Sequence, residues 1–142
     1  RSVSMNFLLA HEDGIAINIE TSPDREAFIH PEDGLLTHSN HFCELDIESE
    51  VVKLWPNTMY RNIRLERLLR QSQELDSTMI KSAMADHFSH PHSICAHYDD
   101  NEAETLRLQS NHSIMISLNQ RSLYITDSSP CKSDYEVYPL AA

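Results

Sequence analysis

Glycine occurs only twice in this chain of 142 residues, and both times it closes the tripeptide Glu-Asp-Gly, at Gly14 and at Gly34. Asp-Gly between apolar runs marks a tight hairpin, because glycine adopts the positive φ that such a turn requires. The first pair therefore predicts a hairpin of Asn6–His11 with Ile15–Glu20. Ile15, Ile17 and Ile19 alternate there with Ala16, Asn18 and Glu20, the period of a strand. Ser22-Pro23-Asp24 supplies the next turn, Glu26–His30 a third strand and Leu35–His38 a fourth, so this part reads as an antiparallel meander. The same scarcity argues against a glycine-rich phosphate cradle. No Gly-x-Ser-x-Gly elbow and no dinucleotide-binding fingerprint is present.

After the meander the period changes. Between Trp55 and Leu75, the residues Tyr60, Ile63, Leu65, Leu68 and Leu69 recur at helical spacing, with Asn57 or Thr58 as N-cap and Pro56 just before it. Asp76-Ser77-Thr78 opens a second helix whose apolar stripe is Met79, Ile80, Ala83 and Met84. Pro91 ends regular structure near His90, and Asp99–Glu104 is an acidic loop. Ser113–Leu118 and Ser122–Thr126 flank Asn119-Gln120-Arg121 as a second hairpin, and Glu136–Leu140 forms a short closing strand. Strands, then two helices, then strands again suit a layered α+β domain. The length is that of one domain, 1–142, with no repeat and no linker.

Hydrophobic residues at 40% and charged residues at 23% describe a folded chain rather than a disordered one. A net charge of -11 argues against nucleic acid and against an anionic membrane surface as partners. No apolar run approaches the roughly 18 residues of a membrane-spanning helix. Cys43, Cys95 and Cys131 are odd in number and widely spaced, which fits free thiols in a reducing compartment and predicts a cytoplasmic protein. Asn111-His112-Ser113 matches the N-glycosylation triplet but is expected in or beside a strand, without sugar.

Several ordered segments resemble one family. They are Ser4-Met5-Asn6-Phe7-Leu8-Leu9-Ala10, Pro31-Glu32-Asp33-Gly34, Thr37-His38-Ser39-Asn40-His41-Phe42, the stretch from Thr58-Met59-Tyr60-Arg61 to Leu68, Asp86-His87-Phe88 with Ser93-Ile94-Cys95, and Ser113-Ile114-Met115 with the later Pro130-Cys131. The family is that of acyl-coenzyme A:6-aminopenicillanic acid acyltransferase and related amide hydrolases, including the enzyme that splits N-β-alanyl-dopamine. The resemblance implies an N-terminal-nucleophile αββα sandwich, here partial: a strand meander, two helices and a C-terminal hairpin. It implies a precursor that cuts itself just before a cysteine, whose own α-amino group then serves as base for its thiol. It places this chain downstream of that cysteine, as the C-terminal part of the domain. The partner is then the N-terminal part of the same precursor. A start at Arg1 is expected to reflect an incomplete sequence rather than processing.

The resemblance also singles out residues. Asn6 would face the nucleophile from a strand, where an amide can donate to an oxyanion; read from the sequence alone it is an ordinary polar residue at a strand start. Arg61, in the first turn of the helix, would hold a carboxylate or orient a catalytic group by a planar contact, although Arg64, Arg67 and Arg70 continue its spacing as a solvated stripe. His38, Asn40 and His41 would lie near the cleft and contribute to substrate binding, or else satisfy backbone groups where strand turns to loop. Thr58 matches a family serine, and a helix cap is the better explanation for it; the resemblance would otherwise place it at the substrate.

His87, His90, His92, Cys95 and His97 crowd one stretch and invite a zinc reading. Pro91 breaks any helix through them and no second cluster supplies a matching pair, so no metal is expected. Asp99, Asp100, Glu102 and Glu104 lack the glycine of a calcium loop. No cofactor is expected. The implied activity is hydrolysis or acyl transfer on small N-acyl amines, β-alanyl amines among them, through a thioester on a cysteine outside this chain, so the chain alone would be inactive. The competing expectation is a non-catalytic binding module with the same fold. If the sheets interleave with strands of the other half, the chain by itself exposes strand edges and self-associates.

Overall fold

The computed structural model describes residues 3–47, 49–71 and 75–141. It divides into two compact units, Arg1–Glu66 and Arg67–Ala142. Among the described residues there are two antiparallel sheets of three strands each, three α-helices and a single 3-10 turn at Glu104–Leu106. That inventory is α+β and compatible with part of a two-sheet sandwich.

In the first unit, β1 (Met5–Ala10), β2 (Ala16–Thr21) and β3 (Glu26–Ile29) form a meander in that spatial order. Asn6 pairs with Glu20 and Phe7 with Ile19 across β1 and β2. Gly14 takes φ 85°, as the hairpin requires. The turn into β3 is closed by Ser22, whose N–H donates to Arg25 O at 2.8 Å and whose Oγ accepts from Arg25 N–H at 3.0 Å. The second Asp-Gly also reverses the chain, with Asp33 at φ 50° and Gly34 at φ 75°. It joins Glu32 and Leu35 by an isolated bridge only. The expected fourth strand at 35–38 is absent: the chain leaves the sheet because His38 and the residues after it are held by Glu20 of β2 and by Thr58 and Arg61 further along the chain, described below.

The alternation on β2 is real, but the shielded face is the polar one. Asn18 and Glu20 are fully buried, whereas Ile15, just before the strand, is 68% exposed and Ile17 and Ile19 are half-buried. A polar face is buried without penalty only when hydrogen bonds satisfy it.

Helix α1 (Glu50–Leu54) was not legible in the sequence, since its five residues are too few to establish a helical period. Helix α2 (Asn57–Leu69) follows Pro56 as expected. Of its apolar stripe only Leu69 is buried, and Ile63 stands 67% exposed.

In the second unit, α3 (Ser77–Met84) is capped by Asp76, whose carboxylate accepts from Met79 N–H at 2.7 Å. The sheet order is β4 (Ile114–Ser117), β5 (Ser122–Thr126), β6 (Tyr135–Pro139). Lys81 of α3 places its ammonium 5.0 Å from the ring centroids of both Tyr124 on β5 and Tyr135 on β6, so the helix meets the sheet through paired cation–π contacts. No helix among the described residues is long and apolar enough to cross a membrane.

Candidate active site

A cavity of about 370 Å³ opens in the first unit, lined among others by Asn6, His38, Asn40 and His41. That volume suits a small-molecule site. Four of the six residues singled out in the sequence therefore share one wall; the other two, Thr58 and Arg61, support it.

Asn6 projects from β1 and is exposed, while Asn18 on β2 is wholly buried. Their amides bind each other reciprocally: Asn6 Nδ2 donates to Asn18 Oδ1 at 2.5 Å, and Asn18 Nδ2 donates to Asn6 Oδ1 at 3.2 Å. A primary amide carries two N–H groups. One fixes the Asn6 side chain against Asn18, and the second has no partner among the described residues. Asn18 was missed in the sequence, where it read only as the polar alternate of a strand; a buried amide facing another amide is a contact between strands that a linear pattern does not contain.

Glu20, two residues along the same face, is a buried carboxylate that collects four donors. Cys43 N–H gives to Oε1 at 2.5 Å, and Glu44 and Leu45 N–H give to Oε2 at 3.0 Å each. His38 Nε2 meets Oε1 at 2.7 Å. Burial alone would raise the carboxyl, but the Cys43 amide, the His38 ring and the Leu45 and Glu44 amides together hold it below its usual value. His38 Nδ1 faces Ser39 O at 2.6 Å, so both ring nitrogens face oxygens that accept. The three amides on Glu20 favour its carboxylate.

Thr58 lies one residue inside α2 and is fully shielded. Its Oγ1 accepts from Asn40 N–H at 2.9 Å and lies 2.9 Å from Ser39 Oγ and 3.1 Å from His41 Nδ1. The expected cap is corrected: the hydroxyl organises 39–41 instead of the helix start. Its burial also assigns it to positioning the cleft residues rather than touching a ligand. His41 is shifted down from its ordinary value by burial, then by His38 and Arg61, against an opposing pull from Glu20. A neutral imidazole on the cavity wall can accept a proton.

Arg61 donates from Nη2 to Asn40 Oδ1 at 2.7 Å. Its Nε is buried without a hydrogen-bond partner among the described residues. Burial pushes the guanidinium down, Tyr60 pushing it back, but an arginine stays charged. A shielded donor without a partner is costly, and Arg61 meets the cavity wall through Asn40 rather than lining the cavity itself.

Cys43 sits beside this cluster, its Sγ 4.0 Å from His41 Nε2 and 3.8 Å from Asn62 Nδ2. The pairing has the composition of a cysteine–histidine dyad but the opposite electrostatics. Partial burial, then the Glu20 and Glu44 carboxylates, push the thiol above its ordinary value, whereas a nucleophile needs it lowered. Glu20, His38 and Cys43 could also converge on a metal, yet the amides already occupy both carboxylate oxygens.

A comparison with curated proteins finds no match. The family model described as acyl-coenzyme A:6-aminopenicillanic acid acyl-transferase matches residues 1–132. Acyl transfer or hydrolysis is the general activity that such membership suggests. The match takes in the meander that carries Asn6, the 38–41 segment and α2, and on that ground the chain belongs to the acyl-coenzyme A:6-aminopenicillanic acid acyl-transferase family.

Proposed function

We propose that this cavity is one wall of the active site of a cysteine amide hydrolase or acyltransferase acting on small N-acyl amines, β-alanyl amines among them. The nucleophile is a cysteine outside residues 1–142, carried by the N-terminal part of the same precursor, and the two parts complete an N-terminal-nucleophile sandwich. The thiolate adds to the amide carbonyl, the C–N bond breaks, and the amine leaves with the proton that the base took from the thiol. Water or a second amine then attacks the thioester, breaking the C–S bond and returning the thiol. Asn6 donates its second Nδ2–H to the oxyanion formed in each addition. Arg61, through its bond to Asn40, positions the cleft wall that receives the substrate.

The observation that carries this reading is the Asn6 amide, fixed by buried Asn18 on the cavity wall with one donor uncommitted. Cys43 and Cys95 are both poorly suited to the nucleophile's role. Cys43 is shifted the wrong way, and burial, with the neighbouring Cys131, pushes Cys95 up to about 11.

The test is a comparison of acyl release by the 142-residue chain and by the full precursor, using a panel of N-acyl amines. The reading expects no turnover from the chain, and a precursor that traps a thioester on a cysteine outside it. Hydrolysis by the chain alone, abolished by Cys43→Ser, would overturn the placement of the nucleophile.

A further inference from the structure

The second unit holds a group of side chains that acyl transfer does not use. His87, Cys95, His97 and Cys131 each present one ligand atom, and all four atoms lie within 4.8 Å of one another. The crowding of histidines around Cys95 was visible in the sequence, but the fourth ligand was not. Cys131 lies 34 residues beyond His97 in the chain and is brought back to it by the turn between β5 and β6.

Three of the separations meet at His97 Nε2. His97 Nε2 lies 3.0 Å from His87 Nε2, 3.7 Å from Cys95 Sγ and 3.5 Å from Cys131 Sγ. A single imidazole nitrogen offers one hydrogen or one lone pair, so it cannot bond all three neighbours directly. Tetrahedral zinc, with Zn–N near 2.0–2.1 Å and Zn–S near 2.3 Å, sets ligand edges of about 3.3 Å for N···N and about 3.6 Å for N···S. The observed edges lie close to these. The backbone that carries the ligands is already fixed: Cys95 N–H donates to Asp86 O at 3.0 Å, His97 N–H to Pro91 O at 2.9 Å, and Ser93 Oγ to Cys95 O at 2.6 Å.

We propose that His87, Cys95, His97 and Cys131 form a Cys2His2 site for a divalent zinc-like cation, which staples the 87–97 loop to the segment between β5 and β6. Four protein ligands leave no open position, so the role is structural rather than catalytic. Cys95 and Cys131 bind as thiolates and release their protons on metal uptake. His87 is at the surface, which gives the ion a path in, while Cys95 is fully buried at the base.

The experiment measures zinc in the full chain, purified in reducing, chelator-free buffer, and records the spectrum after cobalt(II) exchange. The proposal expects roughly one metal per chain, thiolate-to-cobalt charge transfer in the near ultraviolet, and the d–d bands of a tetrahedral ion. Cys131→Ser and His97→Ala should lose the metal, while His92→Ala should keep it. Cys131→His preserves four ligands and should retain cobalt with weaker charge transfer, which separates loss of a ligand from loss of the fold. A wild-type chain without stoichiometric zinc and without a thiolate–cobalt band overturns the site, as does peptide mapping that finds Cys95 and Cys131 joined as a disulfide instead.

Discussion

His38 Nε2 lies 2.7 Å from Glu20 Oε1, with the Glu20 side chain wholly buried and the His38 side chain 8% exposed. This contact turns a strand residue into the anchor of the cleft segment, because the same carboxylate also receives the amides of Cys43, Glu44 and Leu45. Breaking a buried, charge-assisted network by removing one partner costs about 3–5 kcal/mol. Glu20→Ala should therefore lower the denaturant midpoint of the first unit well beyond a typical surface change.

The pH dependence of that anchor has a definite sign. The Glu20 carboxyl is held below its ordinary value in the folded chain, so the unfolded chain binds the proton more readily. The stabilisation is fully present above the unfolded value of about 4.3 and is lost as pH falls through the lower, folded value. Denaturant midpoints measured between pH 6 and pH 3 should fall more steeply for the wild type than for Glu20→Gln, which cannot titrate. Parallel curves would remove Glu20 from the acid limb.

If the proposed function holds, Asn6 and Asn18 should act as a unit in the full precursor. Removing an oxyanion donor costs about 10²–10³ in kcat, and Asn6→Ala should show this with little change in KM. Asn18→Ala leaves the donor in place but unfixed, so its loss should be smaller. The double variant should be no worse than Asn6→Ala alone, because once the donor is gone its orientation no longer matters. Additive losses would mean that Asn18 acts by another route.

Arg61→Lys keeps the charge and discards the planar fork. The bond to Asn40 Oδ1 and the unpaired Nε both disappear. Hydrogen bonds to charged groups contribute about 1.5–3 kcal/mol, so kcat/KM should fall roughly 10- to 100-fold. The measurement that checks this is kcat/KM for N-acyl amines with and without a carboxylate. A loss confined to carboxylate-bearing substrates assigns Arg61 to that group, and an equal loss on both assigns it to the shared carbonyl.

The hairpins were legible because their signals are local. Asp13-Gly14 and the polar loop Asn119-Gln120-Arg121 carry the turn conformations in residues adjacent in sequence, and Asp76 caps α3 within three residues. The fourth strand at 35–38 failed for a nonlocal reason: His38 is taken by Glu20, 18 positions earlier. Thr58 misled for the same reason, since its partners lie 17 to 19 residues away. Family likeness pointed to Asn6 and Arg61, but Asn18, the residue that fixes the first of them, and Cys131, the fourth side chain of the His/Cys cluster, emerge only once the chain has folded back.

The edge of the first sheet makes the last prediction. Strand β1 pairs with β2 on one side only, and Met5, Phe7, Leu8 and Leu9 are all at least 41% exposed, so both of its faces carry uncovered apolar side chains. An unpaired strand with apolar residues on both faces is a template for another chain. Sedimentation of the isolated chain should show concentration-dependent self-association. Lysine on an edge strand opposes pairing by burying charge, so Leu8→Lys should shift the population toward monomer. Association that Leu8→Lys does not weaken would locate the contact elsewhere on the chain.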